Sequence, residues 1–374
     1  MIPRILEQSL KTPFAKHKVL VILGARQTGK TTLIKKLLQG FNDTLYFTAD
    51  DPSVVAMFSN FSLENLRLIL GKSKLICIDE AQRIPSVGLI AKLIHDELPE
   101  VRLVLTGSSS LELTEGTYES LTGRKREMIL FPVSWQEFSD SLGALKAWQQ
   151  LDSRLIYGMY PEVITNLGNE QDILKEITSS YLYKDLLSWK GVRKPRLLED
   201  LLRALALQLG QEVSINELAN LLGVGKDTID SYLDLLEKTF IIFRLEPLSR
   251  NLRNEIKSFR KVYFWDNGIR NAVIGNFLPL ENRLDKGHLW ENFMISERLK
   301  KLSYSNSHAK SWFWRTTYQQ EIDYIEEKDG GFKAWEIKYS PKRKHKFHQA
   351  FADAYSPELM EVIHKENFLE WVSI

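Results

Sequence analysis

The sequence has a single cysteine, Cys77, in 374 residues. That excludes an internal disulfide framework and any zinc site built on several thiolates. It also lacks an excess of one charge. Lys and Arg number 50 against 48 Asp and Glu, for a formal net charge of +2. A histone-like DNA coat is excluded, so any contact with DNA has to be a local patch. No apolar run approaches the roughly 18 residues of a membrane span, and no membrane partner is expected. The opening MIPRILEQSLKTPF lacks the unbroken apolar core of a signal peptide. The expectation is a soluble, cytoplasmic chain. Repeats and low-complexity tracts are missing too. Hydrophobic residues at 44% and charged residues at 26% are ordinary globular usage, which excludes a disordered tail or a coiled-coil rod.

Length, at roughly 150 residues per domain, predicts two or three domains. The pattern divides into residues 1–145, 146–265 and 266–374. In the first block, Lys18–Leu23, Thr44–Thr48, Leu75–Asp79 and Val101–Thr106 read as strands. Thr32–Leu38, Leu63–Leu70 and Val87–Leu98 read as helices between them. Continuous apolar strands alternating with helices predict a parallel sheet covered on both faces.

After the first strand come Gly24, Ala25, Arg26, Gln27, Thr28, Gly29, Lys30 and Thr31, which fit G-x-x-x-x-G-K-[ST] in its strand-to-helix context. Glycines let the backbone curl so that its N–H groups face an anion. The following helix adds its positive end. Lys30 reaches β- and γ-phosphates, and the Thr31 hydroxyl ligates Mg²⁺. The apolar strand ending at Asp79 and Glu80 supplies the other half. Asp79 is placed to hold the Mg²⁺ water shell, and Glu80 to polarise an attacking water. Thr106 or Ser108, at the end of the next strand, is a candidate sensor of the γ-phosphate. The turn carrying Gly123, Arg124, Lys125 and Arg126 offers an arginine finger through Arg124 or Arg126, in cis or from a neighbouring subunit. Its alternative is a solvated basic turn. Cys77 lies inside a strand and reads as a core residue.

The runs GARQTGKTT, ICIDEAQRIP, LVLTGSSS, LTGR and FPVSWQEF together resemble a group of bacterial and archaeal AAA+-type ATPases along nearly the whole chain. The resemblance implies an α/β fold, a P-loop NTPase parallel sheet sandwiched by helices, then a helical lid, a winged helix and a C-terminal domain. It also implies ATP at residues 24–32, out to Thr32, with Mg²⁺ near Thr31 and Asp79 and with Glu80 catalytic. AAA+ resemblance suggests rings, although no residue sets an oligomeric state.

Residues 196–250 carry a helix–turn–helix pattern. Ser214 and Glu217 form a capping-box pair, Gly223 and Gly225 make the turn, and Ile229, Leu233 and Leu236 recur at helical spacing. Phe240–Leu245 reads as a wing strand. DNA binding through the second helix is opposed by Asp227, Asp230 and Asp234 on its polar face, which would meet phosphates uncompensated. A structural or protein-docking winged helix is favoured. Arg250, Arg253, Lys257, Arg260 and Lys261 are a possible basic wing if they share one surface.

Glu321–Lys338 reads as two strands around Asp329 and Gly330, a hairpin signal. The register sets Asp323 opposite Glu336 and Glu321 opposite Lys338. Opposed carboxylates repel unless a divalent cation, Mg²⁺ or Mn²⁺, lies between them. Lys338 would then stabilise a hydroxide or a developing phosphorane charge. Glu291, on the helix-like run Leu289–Leu302, adds a fourth group. This set resembles the PD-(D/E)xK nuclease fold, a restriction-endonuclease-like α/β domain, with Glu336-Ile337-Lys338 intact. Ile322 stands where the motif has proline. Gln349 and Tyr355 loosely match a further motif of such nucleases. The alternative is a surface hairpin in which Lys338 neutralises Glu321. Lys338, Lys342, Arg343, Lys344 and Lys346 form an acid-free stretch able to grip DNA phosphates, or a solvated loop. His345 and His348 read as surface residues, and the aromatic run near 312–318 as strand.

The expected function is Mg²⁺-dependent ATP binding and hydrolysis coupled to repositioning of a winged helix and a nuclease-like domain. One alternative is an ATP-regulated, metal-dependent DNA nuclease. Another is a nucleotide-switched signalling or protein-docking ATPase with an inactive nuclease-like domain.

Overall fold

The computed structural model describes residues 2–11, 18–108, 121–182, 186, 194–249, 259–316, 318–340 and 347–374. Arg250, Arg253, Lys257, Lys342, Arg343, Lys344, His345 and Lys346 lie outside the described residues. Two compact units form, residues 1–132 with 238–240, and residues 133–237 with 241–374. No helix among the described residues is long and apolar enough to cross a membrane.

The first unit holds β1 (Val19–Leu23), β2 (Thr44–Thr48), β3 (Leu75–Asp79), β4 (Arg102–Gly107) and β5 (Lys125–Ile129). They form one parallel sheet in the order β2-β3-β4-β1-β5. Every residue of β1 and β3 is buried, as continuous apolar runs require when both faces are covered. Leu23, Ile78 and Leu105 pack with Phe58, Leu66, Ile90 and Ile94 from the helices Pro52–Ser59, Leu63–Leu70 and Val87–Glu97. The first four strands match the sequence pattern. β5 has too few apolar residues to announce itself, and its start was read only as a basic cluster. The helix Pro52–Ser59 went unread, although Asp51 caps it and Pro52 opens it. Burial, with Asp79 nearby, pushes the Cys77 thiol up to about 12, so it packs rather than reacts.

All five strands run the same way, so their carboxyl ends share one edge. Strand order reverses at β1, and the crevice outside such a reversal is where open α/β sheets bind ligands. The phosphate-loop motif follows β1, Asp79 ends β3, and Thr106 lies on β4 between them, beside Ile22.

The second unit begins with short helices, among them Trp135–Leu142, Leu151–Tyr157 and Glu170–Glu176. It continues with the helix Pro195–Leu207, β6 (Glu212–Val213), the helices Ile215–Leu222 and Lys226–Lys238, β7 (Ile242–Pro247) and β8 (Arg260–Phe264). The helix Lys286–Tyr304 then precedes β9 (Lys310–Arg315), β10 (Glu321–Lys328) and β11 (Gly331–Ile337). The helix Gln349–Tyr355 and β12 (Leu359–Ile363) follow. The strands make one mixed sheet, β12-β11-β10-β9-β7-β8-β6. Residues read as separate second and third blocks therefore share a sheet, joined where Glu246 of β7 lies parallel beside Trp312 of β9. That junction covers strand edges that would otherwise be open.

The β10–β11 hairpin has the register its turn residues predict, with Lys328 beside Gly331 and Tyr324 beside Trp335. Asp329 and Gly330 both take positive φ, 52° and 83°, as a type I′ turn needs. Pairing of β10 with β9 shifts register between Ile322 and Ile325, a bulge at the position of Asp323.

Candidate functional site

Residues 24–29 carry the chain from β1 into the helix Lys30–Leu38. A Cβ on Gly24 would lie 2.2 Å from the Leu130 carbonyl oxygen, so only glycine fits there. Gly29 caps the helix at φ 97°. The Lys30 ammonium, buried, donates to the carbonyls of Gly24 and Ala25 at 2.8 Å each. The loop is thus curled around a cation. Thr28 Oγ1 closes it further by donating to the Ala25 carbonyl at 2.9 Å. Arg4 braces it from outside, donating to the carbonyls of Thr28 and Phe131 at 2.6 Å each. No local signal marked Arg4, because its partners are 24 and 127 residues away.

Three hydroxyls converge on Asp79, which is buried. Its Oδ2 accepts from Thr31 Oγ1 at 2.6 Å and from the Tyr46 hydroxyl at 2.9 Å, and its Oδ1 accepts from Thr106 Oγ1. Burial and Asp79 push the Tyr46 phenol upward, which keeps it a donor. Thr106 Oγ1 also accepts from the Glu80 amide at 3.1 Å. Glu80 itself sits in the left-handed region, φ 51°, ψ 40°. Such a conformation is uncommon for a residue with a side chain and clusters at functional sites. Its carboxylate accepts from Gln82 Nε2 at 2.5 Å, and Gln82 also donates to Ser108 Oγ at 3.3 Å. Thr31, Asp79, Glu80, Thr106 and Ser108 are therefore one connected group. Tyr46 and Gln82 belong to it without having been singled out.

The arginine pair lies elsewhere. β5 pairs in parallel with β1, Val19 beside Lys125 and Leu23 beside Ile129. Arg124 and Arg126 therefore sit at the amino edge of the sheet, while the phosphate loop leaves the carboxyl edge. At a strand rise of about 3.3 Å per residue that is roughly 10 Å for Arg126 and 16 Å for Arg124. Arg124 Nε is held by Asp96 Oδ1 at 2.8 Å. This placement sets both arginines at the opposite edge of the sheet from the phosphate loop of their own chain.

In the helix–turn–helix region Ser214 Oγ accepts from the Glu217 amide at 3.4 Å, and Ile229, Leu233 and Leu236 are buried as their spacing requires. Two of the three acids on the second helix have partners. Asp234 pairs with Arg244 at 2.7 Å, and Asp230 with Arg260 at 3.5 Å. The proposed basic wing does not form from Arg260 and Lys261. Adjacent residues of a strand point to opposite sides. Arg260 stays near the helix and Glu246, whereas Lys261 is buried.

Lys261 instead enters a buried array around the hairpin. Its Nζ lies 3.4 Å from Glu291 Oε1 and also pairs with Glu321. Glu291 Oε1 accepts from the Tyr263 hydroxyl at 2.7 Å. Lys338 Nζ lies 2.9 Å from Asp323 Oδ2 and 2.7 Å from Glu336 Oε2, and the Ile337 amide donates to Asp323 at 2.8 Å. Arg315 adds pairs to Glu321 and Glu212 at 3.7 and 3.3 Å. Burial, joined by Asp323, pushes the Glu336 carboxyl up to about 8 against the pull of Lys338. Burial also raises Glu291 against Lys261. Burial works to raise Asp323 too, but Lys261, Lys338 and the Ile337 amide outweigh it and hold this carboxyl low.

Asp323, Glu336, Lys338 and Glu291 are thus gathered as expected, but the hairpin is not a surface ladder. Glu321 is neutralised by Lys261 and Arg315 rather than by Lys338. Among the described residues no group of three or more His, Cys, Asp or Glu side chains is arranged to hold a metal ion. The carboxylates face ammonium groups and a phenol. Gln349 donates to Asp353 and Tyr355 stacks on Phe351.

A family model described as an AAA domain matches residues 16–139. Two domains of unknown function match the remainder, DUF8612 over residues 149–279 and DUF4143 over residues 286–369. An uncharacterized protein of Mycobacterium tuberculosis is 29% identical over 335 residues, covering 88% of this chain and 72% of the relative. An uncharacterized protein of Methanocaldococcus jannaschii is 23% identical over 346 residues, covering 86% and 75%. Among solved structures, a Walker-type ATPase of Pyrococcus abyssi aligns over 72% of this chain and 94% of its own, at 17% identity and a TM-score of 0.48. By the family models, residues 16–139 carry an AAA domain, followed by two domains of unknown function.

Proposed function

We propose that the AAA domain binds ATP with Mg²⁺ and hydrolyses it, and that the C-terminal unit reads out the nucleotide state. The observation that carries this is the meeting of the Thr31 and Thr106 hydroxyls on Asp79, beside a loop already curled around the Lys30 ammonium. The donor set fits a metal–triphosphate: a loop that leaves β1 at a glycine packed against the Leu130 backbone, a buried ammonium, one hydroxyl and one carboxylate. Thr31 and Asp79 would hold Mg²⁺, which would supply charge neutralisation at the phosphates. Lys30 exchanges its two carbonyl partners for phosphate oxygens. Backbone N–H groups at the start of the helix Lys30–Leu38 receive the remaining charge. Glu80 takes the proton of the attacking water.

Lys30→Ala should abolish binding of a fluorescent ATP analogue; unchanged affinity sinks the assignment. Glu80→Gln should bind ATP but turn it over slowly, and wild-type turnover removes Glu80 as the base. A finger from Arg124 or Arg126 would act on a neighbouring subunit.

For the second unit, the order helix, three strands, helix, strand, with Asp323, Glu336 and Lys338 gathered on it, supports a PD-(D/E)xK nuclease-like fold. The chemistry favours docking over cleavage, because each carboxylate already faces an ammonium or a phenol. The elements from Pro195 to Phe264 support a winged helix. The pairing of its acids with Arg244 and Arg260 suits a protein partner. DNA cutting with Mg²⁺ or Mn²⁺ that is lost in Lys338→Ala would restore the nuclease reading.

A further inference from the structure

We infer that Gln82 is a positioning residue for ATP hydrolysis: its amide nitrogen, anchored on Ser108, holds the Glu80 carboxylate in the orientation from which it takes the proton of the attacking water. This rests on the ATPase reading above.

The argument begins with which end of the amide faces Glu80. An ionised carboxylate only accepts hydrogen bonds, so the group 2.5 Å from Glu80 Oε2 has to be the Gln82 nitrogen. The second hydrogen of that nitrogen goes to Ser108 Oγ at 3.3 Å. Both donors are then used, and the orientation of the amide is set. What remains is Oε1. It is buried and has no hydrogen-bond partner among the described residues. Buried acceptors are nearly always satisfied by protein or water, and an exception asks for a functional explanation.

The surroundings say what the amide nitrogen does. Glu80 is turned into its left-handed backbone conformation at the end of β3, and its amide is tied to Thr106 Oγ1 at 3.1 Å. The Gln82 nitrogen fixes the Glu80 carboxylate from one side. In hydrolysis a lone pair of the attacking water forms the new O–P bond at the γ-phosphorus. The bridging P–O bond breaks and its electron pair leaves with ADP. The proton of the water goes to Glu80. Gln82 gains and loses no proton. It orients the carboxylate that takes that proton, and orientation is a large part of phosphoryl-transfer catalysis. Ser108, at the end of β4, links this amide to the strand beside the phosphate loop.

The test uses the full chain with MgATP. Gln82→Leu removes both amide functions, and Gln82→Glu keeps the shape while replacing the donor by an acceptor that repels Glu80. Each should lower kcat by roughly 10- to 100-fold with KM for ATP within about threefold, the split expected of a group that acts after binding. Adding Gln82→Leu to Glu80→Gln should cost less than about threefold more, because Gln82 acts through Glu80. A merely structural Gln82 would instead add its loss in full and lower the melting temperature. Wild-type kcat in Gln82→Leu, a loss confined to KM, or full additivity with Glu80→Gln overturns the inference while leaving the ATPase reading intact. A wild-type protein that binds no ATP overturns both.

Discussion

Replacing Glu336 with glutamine should change the pH dependence of stability in a calculable way. The Glu336 side chain is 2% exposed, and its carboxyl is pushed from 4.5 to about 8 by burial and by Asp323. The folded state thus holds this proton more tightly than the unfolded chain. The stability it contributes is fully present below pH 4.5 and is lost as the pH rises toward 8. At about 1.36 kcal/mol per pH unit the loss is on the order of 5 kcal/mol across that window. Glutamine keeps the shape and does not titrate, so that component vanishes, while Lys338 keeps its pair with Asp323. The difference in unfolding free energy, wild type minus Glu336→Gln, should fall by about 5 kcal/mol between pH 4.5 and 8 and then level off. Groups that titrate alike in both proteins cancel. Urea unfolding at intervals from acid to mildly alkaline pH, followed by tryptophan emission, measures it. Trp335 and Trp371 lie in the same unit, with ring centroids 5.8 Å apart. Parallel stability curves for the two proteins would refute the picture of a buried carboxyl held neutral.

Gly24→Ala places a methyl 2.2 Å from the Leu130 oxygen, so nucleotide affinity should fall at least tenfold; an unchanged dissociation constant for MgATP contradicts the close approach. Lys261→Met leaves Glu291 and Glu321 buried or half-buried without their ammonium, and should destabilise the second unit by about 3–5 kcal/mol near neutral pH. A melting temperature equal to wild type would show that the array does not depend on Lys261. Arg124→Ala should leave single-site turnover at high dilution unchanged, since Arg124 is tied to Asp96 at the far edge of the sheet. A loss of turnover that appears only at high protein concentration would identify a finger acting between subunits.

Much of the first unit was legible because its signals are local. The phosphate loop is a contiguous run whose glycine spacing and flanking strand and helix can be read together. Asp79 and Glu80 end an apolar strand, and the hairpin register follows from Asp329 and Gly330 alone. Hidden were the residues whose roles depend on distant partners. Tyr46 reaches Asp79 from another strand, 33 positions away, and Arg4 reaches Phe131 across 127. Lys261 was grouped with neighbouring cations in sequence, yet strand alternation sends it inward, away from Arg260.

The sequence by itself determined the phosphate-loop motif, the parallel sheet that presents it and the turn that sets the β10–β11 register. Each of these rests on periodicity or spacing over a few residues. Only the tertiary structure decided which charges meet. It placed Lys261 and Lys338 among Glu291, Asp323 and Glu336, set Arg124 at the edge away from its own phosphate loop, and tied Glu80 to Gln82. Burial makes those encounters decisive, because a charge removed from water has to find its partner wherever the fold brings one, and sequence distance carries no information about that.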